Sequence, residues 1–249
     1  MLEEYELRYH KLEENHWWCR ARRDIIEKLL AEMPKSAKIL EVGCGGGALL
    51  KSLQSKGYKN AMGLDISRNA IRTCSKRGVR NIKLADAIET GYEANSFDAV
   101  VASDVLEHIE NEGMALGEWR RILKHNGKLF VFAPAFNFLW SEHDLANKHF
   151  RRYEMKALAK LLHKNGFAVE RLGYWNFLLS LPISAMRLLE KAAGIGEKPD
   201  SGKAKDQLRQ QNPFSNNALL QLMLLENRII LSGLGFPFGL SIFAIAEKK

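Results

Sequence analysis

The run Ile39-Leu-Glu-Val-Gly-Cys-Gly-Gly-Gly-Ala48 constrains this chain more than any other stretch. Apolar residues lead into clustered glycines. The segment that follows, Ala48-Leu-Leu-Lys-Ser-Leu-Gln-Ser-Lys56, has helix-forming composition with apolar residues at 49, 50 and 53. The pattern predicts strand, tight turn, helix. Glycine carries no side chain to block a close approach and tolerates positive φ. A flat or extended ligand can therefore press on the backbone at Gly43, Gly45 and Gly47. Gly43-Cys-Gly45-Gly-Gly-Ala48 also fits the G-x-G-x-x-G/A fingerprint of dinucleotide-binding folds, in which an acid about 20 residues on takes the ribose hydroxyls.

Acids recur downstream at strand ends. Asn60-Ala-Met-Gly-Leu-Asp65 is an apolar run closed by a carboxylate, 22 residues beyond Gly43, where the second strand of a doubly wound sheet should end. Asp65 could instead start the next helix as its N-cap. Asn81-Ile-Lys-Leu-Ala-Asp86 repeats the pattern, and Phe97 to Ser103 leads into Asp104-Val-Leu-Glu107-His108. Ligands of open α/β sheets bind outside the carboxyl ends of the strands, so these acids converge there. Asn126-Gly127 predicts a turn into a fifth strand, Lys128 to Ala133, closed by Pro134. The aperiodic segment 135–153 holds Trp140, His143, Asp144, His149, Arg151 and Arg152 before Tyr153 opens a helix to Asn165. A sixth strand follows over 167–172, and a last one from Gly239.

Two segments flank this pattern. Residues 1–33 predict two helices, and Trp17 and Trp18 begin the second, whose apolar stripe is Ile25, Ile26, Leu29 and Leu30. Its Arg20, Arg22 and Arg23 are either solvated or meet an anion beneath a tryptophan lid. Residues 176–238 form an insertion: helices over 177–193 and 218–231 with broad apolar faces, joined by a polar linker. The uncharged run 229–246 has the length of a membrane span, but Gly233, Gly235, Pro237 and Gly239 break it into helix end, turn and strand.

A formal charge of +8 favours an anionic partner without choosing among nucleic acid, phosphorylated substrate and membrane surface. Three scattered cysteines form no C-x-x-C pair, and the acidic N-terminus lacks the features of a signal peptide, so the expected location is the cytoplasm.

From Lys38 to Phe132, Glu41-Val-Gly43-Cys-Gly45-Gly-Gly47 and the strand-end acids resemble class I S-adenosylmethionine-dependent methyltransferases. The resemblance implies a doubly wound Rossmann-like α/β sheet of seven strands with the last antiparallel. The core would be 34–175 with 239–249, the lid 1–33 and the helical insertion 176–238. It implies S-adenosylmethionine over Gly43, Gly45 and Gly47, Glu41 holding the loop, Asp65 on the ribose and Asp86 on the adenine amino group. Ala87 and Ile88 would flank the ring, with Ile66 and Asp104 completing the cofactor set. An NAD(P)-dependent oxidoreductase is the alternative, although such an enzyme has no need of Asp86 and no Tyr-x-x-x-Lys occurs. A non-catalytic, membrane-associated cofactor binder is a further one.

Methyl transfer from a sulfonium needs alignment, plus a base only where the acceptor is a poorly ionised hydroxyl. His108 is the first candidate base and His143 the second, with His149 beside it. Acceptor contacts are expected from Trp18, Arg22, Trp140, Arg151, Arg152 and Tyr153. No metal is expected. Asp104-x-x-Glu107-His108 is the alternative, being similar to the acid-x-x-Glu-His run of ubiquinone-pathway O-methyltransferases, which can hold a divalent ion. The expected acceptor is a small molecule or a lipid-linked one, with no specific nucleic acid. The apolar insertion would serve transient contact with an anionic membrane, or a homodimer.

Overall fold

The first strand, β1 (Ile39–Val42), is buried along its whole length because its side chains alternate between two helical layers. Ile39 joins the core on one face, Leu40 and Val42 the core on the other. The structure is a computed structural model and describes residues 3–181, 183–185, 189 and 211–249. The remaining strands are β2 (Ala61–Asp65), β3 (Ile82–Leu84), β4 (Phe97–Ser103), β5 (Leu123–Pro134), β6 (Phe167–Trp175) and β7 (Ser241–Lys248). They form one sheet in the order β3-β2-β1-β4-β5-β7-β6, with β7 antiparallel to both of its neighbours. This is the expected doubly wound sheet. Strand order reverses between β1 and β4, which opens a crevice at their carboxyl ends.

The helices are α1 (Glu3–Leu12), α2 (Trp17–Leu30), α3 (Ala48–Ser55), α4 (Arg68–Lys76), α5 (Glu112–Ile122), α6 (Glu142–Ala146), α7 (Met155–Lys164) and α8 (Pro213–Leu231). Apolar residues of α2, α3 and α8 cover one face of the sheet, and those of α5 and α7 the other. Local signals set several boundaries. His16 caps α2 by accepting from Trp18 N, and Asn212 caps α8 ahead of Pro213. Where a turn was expected at Asn126-Gly127, β5 instead starts at Leu123 and carries an irregularity: Asn126 has φ 59°, and pairing with β4 shifts between Phe97 and Ala99.

The insertion departs from expectation in its described half. Leu220, Met223 and Ile230 of α8 are buried, while Leu219, Leu224 and Leu231 pack against the same core, which accounts for the breadth of the apolar face. Buried polar groups clamp the helix as well. Glu226 accepts from the backbone N–H groups of Asn176, Phe177 (3.0 Å) and Leu178 (2.9 Å), and Asn227 joins Trp175 Nε1 to the Ala21 carbonyl. Thus α8 is fixed to the core. Of the helix expected over 177–193, residues 180, 181, 183–185 and 189 are helical. Residues 190–210, with the linker's Lys198, Lys203, Lys205 and Arg209, and also Arg187 lie outside the described residues. No helix among the described residues is long and apolar enough to cross a membrane.

Glu226→Ala strands three buried backbone donors at once, so it should lower unfolding free energy by about 3 kcal/mol in urea titration, with Glu226→Gln recovering part of the loss.

Candidate active site

The crevice begins at the glycine turn. Gly43 (φ 68°) and Gly47 (φ 79°) take left-handed backbone. An added Cβ would stand 2.5 Å from Val105 Cγ2 at Gly43 and 2.8 Å from Cys74 Sγ at Gly47, so only glycine fits. Asp65, at the end of β2, holds the turn in place, with Oδ2 accepting from Gly45 N (2.9 Å) and Oδ1 from Ser67 N (2.8 Å). The N-cap of α4 is Ser67, not Asp65. Burial pushes the Asp65 carboxyl up against those two hydrogen bonds. Behind the turn, Glu41 is buried with Oε2 unpartnered, and burial holds its carboxyl well above the usual range.

Helices α1 and α2 roof the turn. Glu13 accepts from Gly46 N (3.2 Å) and pairs with Arg77, which also donates to the Gly46 carbonyl (2.9 Å). Glu6 meets Ser67 Oγ beside Asp65. These contacts have no signal in local sequence, because each joins residues 31 or more positions apart. Between roof and turn lies a cleft of about 540 Å³, open in part to solvent and lined by Tyr9, Trp18, Arg22, Arg23, Gly43 and Asp104 among others.

Arg22 is buried rather than solvated. Its guanidinium lies 4.8 Å from the Trp18 ring, 4.6 Å from Phe132 and 4.3 Å from Trp175, donates to Ser241 Oγ (2.9 Å) and approaches Asp104 Oδ1 at 3.5 Å. Asp104 itself has left-handed backbone, φ 57°, where a non-glycine residue is uncommon. At the sheet's other side, Asp86 Oδ1 accepts from Ile88 N (3.0 Å), and Trp119 Nε1 fixes the Ala87 carbonyl (3.0 Å). Ile66 stands 71% exposed there, an apolar surface beside a strand-end acid.

The loop after β5 forms a second cluster. Asp144 is fully buried and takes both Arg152 Nε and Nη2 at 2.8 Å, together with His149 Nδ1 at 2.9 Å. Burial alone would raise the Asp144 carboxyl, but the His149 hydrogen bond and the Arg152 charge hold it well below the usual carboxylate range. Arg151 pairs with Glu112 (2.7 Å), to which Tyr153 also donates (2.7 Å). Arg151, Arg152 and Tyr153 are therefore engaged by internal partners, where the expectation had them meet an acceptor: Arg152 pairs with the buried Asp144, and Arg151 and Tyr153 with the half-buried Glu112. Trp140 is partly buried on the same loop.

His108, at the end of β4, faces His149 with ring centroids 4.6 Å apart and edge-on geometry. Burial, then the neighbouring His149 ring, pushes His108 down to about 3, so it is neutral at pH 7 and a weak base. His143 lies 5.9 Å from His149 and contacts Asn147, which sets it one ring further out. Glu107, His108 and His149 present ligand atoms within 4.8 Å of one another. The metal-capable set thus replaces the expected Asp104 with His149, since Asp104 is turned toward Arg22.

A left-handed glycine turn at the switch point, an acid holding it at the end of β2 and an antiparallel seventh strand together define the class I methyltransferase fold. A methyltransferase-domain family matches residues 40–131. The chain is 33% identical over 121 residues to the aklanonic acid methyltransferase of Streptomyces sp. strain C5, covering 45% of this chain and 53% of that one. It is 30% identical over 119 residues to the mitochondrial ubiquinone biosynthesis O-methyltransferase of Saccharomyces cerevisiae, covering 45% and 38%. A solved S-adenosylmethionine-dependent methyltransferase from Archaeoglobus fulgidus aligns over 99% of this chain and all of its own, with TM-score 0.57 and 21% identity. Residues 40–131 thus carry a methyltransferase domain, set in the fold of the class I S-adenosylmethionine-dependent methyltransferases, whose cofactor is S-adenosylmethionine. The chain spans about half or less of the length of the curated relatives cited here. The cleft fits that cofactor in its lining, since Gly43 and Gly45 present backbone without side chains beside Asp104.

Asp144→Asn should cost about 3–5 kcal/mol in urea unfolding at pH 7, because Arg152 is left buried without its counter-charge. The Asp144 carboxyl is depressed in the folded state, so its contribution is present above the unfolded value near 4 and is lost as pH falls through the native value. The gap between variant and wild type should accordingly narrow in acid.

Proposed function

We propose that this chain transfers a methyl group to a hydroxyl oxygen of a small-molecule or lipid-linked acceptor that enters beside His108. The observation that carries the reading is the Asp65-held glycine turn opening toward the residues after β4. Bound in the cleft, S-adenosylmethionine supplies an electrophilic methyl group on a sulfonium. Gly43, Gly45 and Gly47 leave room for its methionine part, Asp65 accepts from the ribose hydroxyls, and Asp86 with Ala87, Ile88 and Ile66 receives the adenine. Trp18 and Arg22 close the cleft above, excluding water so that acceptor, methyl carbon and sulfur stay in line. Oxygen as the acceptor atom is supported by the name of the yeast relative. A lipid-linked acceptor is supported by exposed apolar residues on the insertion, Leu181 (70%) and Phe214 (86%), and the site of action we infer is the cytoplasm, at the membrane periphery.

Calorimetry with S-adenosylhomocysteine should show binding that weakens by about 1.5–3 kcal/mol in Asp65→Ala, where charge-assisted hydrogen bonds are lost. Tight NAD binding with no response to S-adenosylhomocysteine would refute the reading.

For the acceptor proton there are two readings. His108 accepts it directly, or Glu107, His108 and His149 would hold a divalent ion, which would supply Lewis acidity to the acceptor oxygen. The second is favoured by the orientation of the rings: His149 is fixed through Nδ1 by Asp144, and His108 by the Asn147 backbone, as metal-binding imidazoles are. On the first reading His108→Gln lowers kcat by about 10²–10⁴ at unchanged cofactor affinity, while His149→Gln has little effect. On the second, both variants fall together, and a chelator abolishes activity that added Mg²⁺ or Zn²⁺ restores.

A further inference from the structure

The chemistry of the crevice leaves two cysteines unused, and both approach the Gly45 carbonyl. Cys44 follows Gly43 in the turn, where its N–H donates to the Leu64 carbonyl (3.0 Å) and its side chain lies flat over Gly63. Cys74 rises from α4 beneath the same turn and donates to the Gly45 carbonyl at 3.2 Å, while Cys44 Sγ lies 4.0 Å from that oxygen. The two thiols thus converge on one carbonyl oxygen. All three cysteines of the chain are free and buried, and Cys19 and Cys44 line the cleft.

We infer that Cys44 and Cys74 are an oxidation site, a thiol pair that hydroperoxides convert to a disulfide, and that the disulfide withdraws the glycine turn from cofactor binding. This rests on the turn being the S-adenosylmethionine site. The thiolate of the pair attacks the peroxide, the O–O bond breaks, and one sulfur becomes a sulfenic acid as the first water leaves. The second sulfur then attacks the first: the S–S bond forms, the S–O bond breaks, and a second water departs. Two thiols and one peroxide thus give one disulfide and two waters. The neighbouring Cys44 side chain holds Cys74 below the usual thiol range despite its burial, and Cys44 rises, so Cys74 is the sulfur that attacks. Cys19, by contrast, is pushed up to about 12 by burial.

Bond formation draws the two sulfurs together to about 2.05 Å. The turn is the yielding partner, since Gly45, Gly46 and Gly47 follow Cys44 directly, whereas Cys74 is set in a helix. Moving Cys44 disturbs Gly45, whose N–H is held by Asp65 and whose carbonyl loses the Cys74 proton. The oxidised turn therefore presents altered backbone to the cofactor.

The full chain treated with hydrogen peroxide should lose two hydrogens in intact mass, and digestion should give a peptide linking Cys44 to Cys74. Its affinity for S-adenosylhomocysteine should fall at least about tenfold by calorimetry and return with dithiothreitol. Cys74→Ser, with Cys44→Ser in its place if it does not fold, should give no linked peptide and show the same affinity before and after peroxide, while Cys19→Ser should form the linked peptide as wild type does. Oxidation that stops at a single cysteine, or a linked pair with unchanged affinity, would overturn the inference. Reduced protein that forms the disulfide but never binds S-adenosylhomocysteine would instead overturn the cofactor reading on which it rests.

Discussion

The clasp between the Asp65 carboxylate and Gly45 N is the interaction on which the site depends. A turn with left-handed backbone at Gly43, Gly45 and Gly47 has no side chains of its own to hold it. A carboxylate at the end of the neighbouring strand does so from outside, and β2 can supply it because β1 and β2 pair in parallel, with Val42 opposite Leu64. The parallel register puts Asp65 beside the turn, and Ser67 N takes its other oxygen.

The roof over this turn is built from charge rather than apolar packing. Glu13, Arg77, His10 and Glu6 meet around Gly46 and Ser67, and several of these groups are largely buried. Ion pairs at such a depth are offset by desolvation and add little net stability, but they demand a particular geometry. They therefore specify where α1 lies against the turn. Arg22 serves the same end on the next helix: three aromatic faces and Ser241 receive a guanidinium that water no longer reaches, and that ties α2 to the carboxyl ends of the sheet.

Across the crevice, a buried Asp144 organises the loop after β5. One carboxylate satisfies Arg152 in a bidentate pair and His149 through Nδ1, which sets the imidazole against His108. The chemistry next to β4 thus comes from residues distant in sequence. His108 is made neutral by the same burial that positions it.

Much of the fold was legible in the sequence, because periodicity and glycine placement are local. The strand, turn and helix at 39–55, the strand-end acids and the closing antiparallel strand all follow from short-range patterns. The misreadings share one cause. Asn126-Gly127 signals a turn, yet pairing with β4 carries β5 through it. Arginines beside tryptophans suggest solvated charge or a ligand contact, yet Arg22 finds rings from β5 and β6 as well as from its own helix. A loop rich in His, Arg and Tyr suggests acceptor contacts, yet Asp144 and Glu112 neutralise most of it from within. Sequence by itself determined the sheet, the glycine turn and the class of cofactor, since these rest on backbone geometry that residue type dictates. Only the tertiary structure decided which charges pair, that His149 rather than Asp104 stands with Glu107 and His108, and that Cys44 and Cys74 converge on the Gly45 carbonyl. Side chains choose partners by distance in space, and a buried charge or thiol takes whichever neighbour the fold brings to it.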